Sequence, residues 1–398
     1  MKASGFNVVI VGGGPAGSSA ARTLAAAGIN VCLIDKSFFP RDKLCGGLLT
    51  LRSKKAFQTI FKSDWAPVIQ TVAKGANFYY KLDLLNSVTD HKDLFFTSRR
   101  DYDTFLLDLA RKCGAVVIEG VQVLTIDIKR SLLELSDGRT VKYNFLIGAD
   151  GINSVVAKTV FGSSFSQATV GFGLEMEVPV PSEVPRITAP EIYFGLLNWG
   201  YGWVFPKKET LTVGIGGLLG KNPGMRGTFE RFLKQRFGRV PSAPIKGHFI
   251  PFGDFRKIPG RENILLCGDA AGLVEPITGE GIAFAMLSGF FAAEGIKEAL
   301  AAAKPLMALE FYKRRHAAIS GSLRQANFLR YLVFPKTSQR LFSKVLPRSK
   351  TLAQRHMDLM ADDLTYGVYT GLLTKKLGSS LLKMLLPWQT LWLLVFIR

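Results

Sequence analysis

Three glycine-rich turns carry residue types and spacings able to do chemistry. The first is Gly12-Gly13-Gly14-Pro15-Ala16-Gly17, a G-x-G-x-x-G run between the β-rich residues 8–11 and the Ala-rich residues 16–27, which Gly28 stops. In such a turn the first glycine permits the tight bend and the second lets the backbone approach a pyrophosphate. The third lets the helix pack closely on the strand, so helix N-terminal amides face the phosphates. Asp35 closes the next β-rich run 18 residues after Gly17, where a carboxylate accepts from a ribose hydroxyl. Far downstream, Leu265-Leu-Cys-Gly268-Asp269-Ala-Ala-Gly272 delivers a Gly-Asp turn from a strand, and Pro276, Gly279, Glu280 and Gly281 continue a flexible run. Following a dinucleotide turn, Gly268-Asp269 reads as the second half of an FAD site, with Asp269 binding a ribityl hydroxyl. The third turn, Gly148-Ala149-Asp150-Gly151 before Asn153-Ser154-Val155, again follows a strand.

Aromatic and sulfur chemistry is concentrated in two more places. Tyr201, Trp203 and Phe205 alternate before Pro206, so on a strand they share one face. Such a face is either sheet core or an apolar wall for a flat or polyprenyl substrate. Cys45, ahead of Gly46 and Gly47, is either an inert packed thiol or a proton donor or redox-active thiol beside a flavin. Cys32, Cys113 and Cys267 read as core, and the four cysteines have no zinc or disulfide spacing, which fits a reducing compartment. His91, His248, His316 and His356 are scattered and form no ligand cluster, so no metal is expected; His248 is the one nearest to a possible role.

These residues need a scaffold that alternates strand and helix. A helix is expected over 101–113, and the Ser136-Asp137-Gly138-Arg139 turn predicts a hairpin between 132–135 and 140–141. Residues 145–147 and 263–267 read as buried parallel strands, and 279–300 as a long helix. Residues 170–217 read as antiparallel sheet in which Gly214, Gly216 and Gly217 serve close backbone packing rather than a second dinucleotide turn. The order of signals predicts an α/β protein: a doubly wound, Rossmann-like FAD-binding domain (1–75, 99–160 and 255–300) with an antiparallel β-sheet substrate domain inserted (76–98 and 161–254). A helical, basic C-terminal extension over 301–398 completes it.

The chain has 398 residues and a net charge of +20, and residues 301–398 hold 16 Lys/Arg against 4 Asp/Glu. Such a field draws a protein to polyanions or anionic membranes. No basic stripe interleaved with stacking aromatics is present, so nucleic acid is not the expected partner. The end of the chain is apolar, with Trp388 and Trp392 near Lys375, Lys376 and Lys383. Too short and interrupted to span a bilayer, it reads as a membrane-interface contact or as a docked helix. No secretory signal is read at the start. The expected location is the cytoplasm, peripheral on the inner membrane face.

Taken in order, the three turns resemble the flavoprotein superfamily that contains the aromatic hydroxylases, over roughly residues 6 to 300. Two segments narrow the resemblance to geranylgeranyl reductase-like enzymes. Pro40-Arg-Asp-Lys-Leu-Cys45-Gly46-Gly47 is similar to their Cys-Gly-Gly segment, and Tyr201-Gly-Trp203-Val-Phe205-Pro206 to their Tyr-x-Trp-x-Phe-Pro motif. Arg99, followed by Tyr102-Asp103, matches the Arg that borders the flavin. Ala157 stands where relatives usually carry Arg, with Lys158 adjacent, and Asn198 stands where the aromatic motif usually starts with Pro.

The resemblance implies FAD held by Gly12, Gly14, Pro15, Ala16, Gly17, Asp35, Lys36, Cys45, Gly46, Gly47, Arg99, Val123, Asp150, Gly151, Gly268, Asp269, Gly279, Gly281 and Ile282. It implies substrate contacts from Tyr201, Trp203, Phe205 and Pro206, with Cys45, Tyr201 and Trp203 at the chemistry. The implied activity is reduction of carbon–carbon double bonds in an isoprenoid or other long apolar lipid, with NAD(P)H or a small redox protein as electron donor. The alternatives are an FAD-dependent monooxygenase and, in another class, a basic membrane- or polyanion-binding protein that retains an FAD fold.

Overall fold

The computed structural model describes residues 4–180, 187–345 and 349–385. Two eight-stranded sheets organise it. The first has the spatial order Gly260–Arg261, Ile264–Leu266, Thr140–Gly148, Ser4–Val11, Val31–Ile34, Val116–Ile118. All of these strands are parallel except the short edge strand Gly260–Arg261. Their centres are apolar on both faces, with Val8, Val9, Ile10, Leu33, Ile147 and Leu265 completely buried, as a sheet covered on both sides requires. The expected hairpin is present: Leu132–Leu135 pairs antiparallel with both Val123–Asp127 and Thr140–Gly148.

The chain leaves Ser4–Val11 to one side for Val31–Ile34 and returns on the other side as Thr140–Gly148. That is a topological switch point, where ligands bind beyond the carboxyl ends of the strands. Register makes the place exact in level: Val11 lies opposite Ile34 on one side and Gly148 on the other, and Gly148 lies opposite Leu266. All three glycine turns therefore leave the same edge of one sheet.

The second sheet runs Lys246–Ile250, Gly171–Pro179, Thr210–Leu218, Gly200–Pro206, Glu191–Phe194, Thr71–Tyr80, Asp83–Phe96, Leu48–Leu49. It is antiparallel as expected over residues 170–217, with one departure. Glu191–Phe194 pairs parallel to Thr71–Tyr80, a strand far earlier in the chain that begins before the expected 76–98 segment. The helix Arg99–Lys112 replaces the expected 101–113, starting earlier because the Ser98 hydroxyl accepts from the Arg100 amide and caps it. The long helix is Ile282–Ala301.

The extension is helical, over Ala308–Val333, Lys336–Val345, Lys350–Met360 and Tyr366–Leu385. It packs on both sheets. The Tyr312 hydroxyl donates to the Leu266 carbonyl at 2.8 Å, and Trp199 of the second sheet's rim stacks on Phe334 at 6.2 Å between ring centres. The apolar chain end around Trp388 and Trp392 lies outside the described residues. Among the described residues no helix is long and apolar enough to cross a membrane.

Candidate active site

The first glycine turn is shaped by approaches that only glycine allows. Gly12 has φ +105°, and a Cβ there would meet the Ala149 carbonyl oxygen at 2.3 Å. A Cβ on Gly17 would sit 1.8 Å from the Gly12 carbonyl oxygen. Gly17 is thus buried beneath the turn rather than lining it. The helix Pro15–Ala25 begins at this point with no side-chain cap, so the amides of Ala16 and Gly17 have no carbonyl partner inside the helix. Asp35 accepts from the Gly13 amide at 2.6 Å and the Ser37 amide at 2.8 Å, and it lines the same groove.

That groove is lined by Gly12, Gly14, Pro15, Ala16, Asp35, Lys36, Arg99, Val123, Asp150, Gly151, Gly268 and Asp269. The donor set fits the group the turns announce. Unpaired helix amides and the cations Lys36, Arg41 and Lys43 suit a pyrophosphate, carboxylates suit ribose and ribityl hydroxyls, and a backbone stripped of side chains suits close approach. FAD fits these residues.

Electrostatics hold the far wall in place. Burial works to raise the pKa of Asp269, but the Lys43 ammonium at 3.1 Å, with Arg99 and His248, outweighs it and keeps the carboxyl below its ordinary value. Burial raises Asp150, partly offset by hydrogen bonds from the Ser154 hydroxyl and the Val155 and Val156 amides, so this carboxylate caps the helix Val155–Phe161. Ala157 is buried in that helix and Lys158 is exposed, outside the groove. Arg99 pairs twice with Asp103 at 2.7 Å, and Arg41 reaches the same carboxylate at 3.0 Å.

A second cavity opens from the groove, sharing Pro15, Lys43, Arg99, His248, Asp269 and Ala285 with it. Cys45, Gly46, Gly47, Gly279, Gly281 and Ile282 line one part, and Tyr201, Trp203 and Phe205 another. The three aromatics do share a face, with ring centres 5.8 Å and 6.2 Å apart in succession. Gly214 explains how the wall lies flat: a Cβ there would meet Trp203 at 2.3 Å. The Tyr201 hydroxyl donates to the Thr278 carbonyl and ties the wall to the Thr278–Gly281 turn. Pro206 lies at the end of its strand and does not line the cavity. The Cys45 sulfur accepts from the Gly47 amide at 3.4 Å, and the Arg99 guanidinium stands beside it.

Arg41, Lys43 and Glu175 of this site were not singled out from sequence. Lys43 sits between the cavities and bonds Asp269. Glu175 lies under the Cys45 turn, accepting from the Cys45 amide at 3.2 Å. Of the other cysteines, Cys267 lines the groove just before Gly268 and is buried, as expected of core, while the remaining histidines lie elsewhere. His91 pairs with Asp358, His316 is buried and His356 half-buried away from the groove, and burial pushes the Cys32 thiol up to about 12. No cluster of potential metal ligands occurs among the described residues.

A doubly wound sheet with this groove at its switch point, opening into an aromatic cavity, defines an FAD-dependent oxidoreductase. Comparison with known proteins agrees. The model of the FAD binding domain family matches residues 5–191. The chain is 34% identical over 301 residues to an uncharacterized protein of Methanosarcina barkeri, covering 74% of this chain and 75% of that one. It is 32% identical over 321 residues to the geranylgeranyl diphosphate reductase of Synechocystis, covering 73% of this chain and 75% of that one. The crystal structure of a geranylgeranyl bacteriochlorophyll reductase-like protein from Thermoplasma acidophilum shares the fold at a TM-score of 0.77 and 21% identity, covering 94% of this chain and 100% of that one. The chain belongs to the geranylgeranyl reductase family.

Proposed function

We propose that this protein reduces carbon–carbon double bonds in an isoprenoid or other long apolar lipid. The observation that carries the proposal is that the Cys45-Gly46-Gly47 turn, the Gly279–Gly281 turn and the wall of Tyr201, Trp203 and Phe205 enclose one cavity continuous with the FAD groove. Reduced FAD, when bound, supplies a hydride; an isolated alkene accepts it only if a proton reaches the other carbon in concert. The chain's own residues orient the alkene against the aromatic wall, exclude water and hold the proton. Cys45, Tyr201 and Trp203 are placed against the reacting bond, and Phe205 extends the wall beyond it. NAD(P)H or a small redox protein is the proposed source of electrons.

The test uses purified protein, reduced without oxygen and mixed with a polyprenyl lipid extract, followed by mass spectrometry. Each saturated bond is expected to add two hydrogens. An added oxygen after air is admitted, without hydrogenation, overturns the reductase reading in favour of a monooxygenase. Trp203→Ala is expected to lower kcat/KM by roughly tenfold to a hundredfold, the loss of ~1.5–3 kcal/mol of aromatic contact with the chain.

A substrate that stays in a bilayer calls for contact with one, and we propose that the extension provides it. Phe328 and Tyr331, three residues apart on one helix, are 67% and 56% exposed, and Val368 and Leu372 are exposed on another helix shortly before Lys375 and Lys376. Exposed apolar side chains with nearby cations suit an anionic interface. The full chain is expected to co-sediment with vesicles containing anionic lipid and to be released by salt. Equal binding to neutral vesicles at high salt would remove the electrostatic part of this idea.

A further inference from the structure

We propose that Glu175 is the proton donor of the reaction, delivering its carboxyl proton to the alkene carbon opposite the one that receives hydride; the assignment rests on the reductase reading above.

Glu175 is 6% exposed, yet it lines the same cavity as Cys45, Tyr201 and Trp203. It stands on the strand Gly171–Pro179 directly opposite Gly214, and Gly214 is opposite Trp203 on the next strand. The carboxyl therefore sits in line with the aromatic wall. One oxygen, Oε1, accepts from the Cys45 amide, while Oε2 is buried and has no hydrogen-bond partner. Trp203 Nε1, also buried and without a geometrically complete hydrogen bond, faces this carboxyl and favours its charged form, opposing burial.

Burial, rather than the surrounding charges, favours the neutral form of this carboxyl. Lys207 is the cation that acts on Glu175, and its ammonium also bonds Glu177 Oε1 at 2.8 Å. Glu177 also takes the hydroxyls of Thr210 and Thr212 and stands on Glu175's own strand as a second negative charge. Lys246, opposite Glu175 on the other neighbouring strand, pairs with Asp42 at 3.5 Å. His248 lines the cavity, with burial, followed by Lys43, disfavouring its charged form. Cys45 and Arg99 lie across the turn, where Arg99 is held by Asp103. Among the described residues Glu175 has no ion pair, and burial lifts its carboxyl to about 7 despite Lys207. A buried acid that is protonated near neutral pH is suited to general-acid work.

The step balances. The alkene π bond breaks, one carbon gains hydride with both electrons from reduced FAD, and the other forms a C–H bond to the Glu175 proton. The product gains two hydrogens, FAD is left oxidised, and Glu175 is left as a carboxylate that solvent reprotonates. Because the acid form is the active one, the rate is expected to fall as pH rises through about 7.

Two measurements on the FAD-loaded protein test this. The infrared difference between wild type and Glu175→Gln is expected to show a protonated-carboxyl C=O band that disappears as pH passes about 7. Glu175→Gln is expected to hydrogenate roughly a hundredfold more slowly, with unchanged KM and a flat pH profile. Glu175→Asp and Cys45→Ala are expected to keep the pH limb. An absent band below pH 7, or a Glu175→Gln enzyme with wild-type rate and pH limb, overturns the assignment alone. No hydrogenation by the wild type of any polyprenyl lipid overturns the functional reading and this assignment with it.

Discussion

Replacing Gly17 by valine is expected to yield protein that purifies without flavin. A Cβ at this position falls 1.8 Å from the Gly12 carbonyl oxygen, and backbone cannot rotate out of the way as a side-chain tip can. The start of the helix Pro15–Ala25 must move by more than an ångström, and with it the amides of Ala16 and Gly17. Losing two hydrogen bonds to a charged pyrophosphate removes ~3–6 kcal/mol, roughly a hundredfold to ten-thousandfold in affinity. Gly14→Ala separates cofactor binding from folding. A Cβ there meets only the Arg41 guanidinium, at 3.5 Å, and φ is −74°, so the apoprotein keeps its fold. That Cβ still points into the groove where the phosphates approach. Flavin absorbance after gel filtration and far-ultraviolet circular dichroism decide the matter. Gly14→Ala is expected to show a native dichroism spectrum with little flavin, and Gly5→Ala, which adds a Cβ into open space, full flavin. Full flavin in Gly17→Val would mean that the turn is not the phosphate cradle.

The cofactor groove was legible because its parts are local. Each glycine turn follows a strand within a few residues, and a parallel sheet with its strand ends in register brings separate turns to one edge. Val11, Ile34, Gly148 and Leu266 end level with one another, so three motifs read independently had one place to go. The alternation of Tyr201, Trp203 and Phe205 is equally local.

Glu175 was not legible. In the run Gly171–Pro179 it alternates with Glu177, and nothing in that spacing marks one of the two acids as buried. Its burial is made by the Cys45 turn, 130 residues earlier in the chain, folding across it. Sequence periodicity reports which residues share a face, but not what covers that face. Residues 76–98 read as part of the sheet domain, but the two strands Thr71–Tyr80 and Asp83–Phe96 were not delimited, for a related reason. They carry Lys74, Asp90, His91 and Lys92 and two register shifts, which erase the simple alternation that marks a strand pair. Arg52 and Glu280, far apart in sequence, gave no sign of being partners.

That pair is where the second large effect is expected. Arg52 Nη1 lies 2.6 Å from Glu280 Oε2, and both side chains are 7% exposed. The same guanidinium donates to the Leu359 carbonyl at 2.8 Å and reaches Asp362 at 3.3 Å, while the Thr50 hydroxyl donates to the other Glu280 oxygen at 2.7 Å. One arginine thus joins the helix Leu51–Phe61, the cavity turn containing Gly279 and Gly281, and the C-terminal end of Lys350–Met360. Arg52→Met keeps most of the bulk and leaves Glu280 buried without its cation, a change worth ~3–5 kcal/mol of stability. Chemical denaturation is expected to show that loss. The double variant Arg52→Met/Glu280→Gln is expected to recover part of it, because no uncompensated charge is then left inside. If Arg52→Met lost only stability held in common with the double variant, the ion pair would be incidental to packing. If instead the single variant also sheds FAD and the double variant retains it, the charge on Glu280 is what moves the turn, and the extension holds the cavity in shape through Arg52.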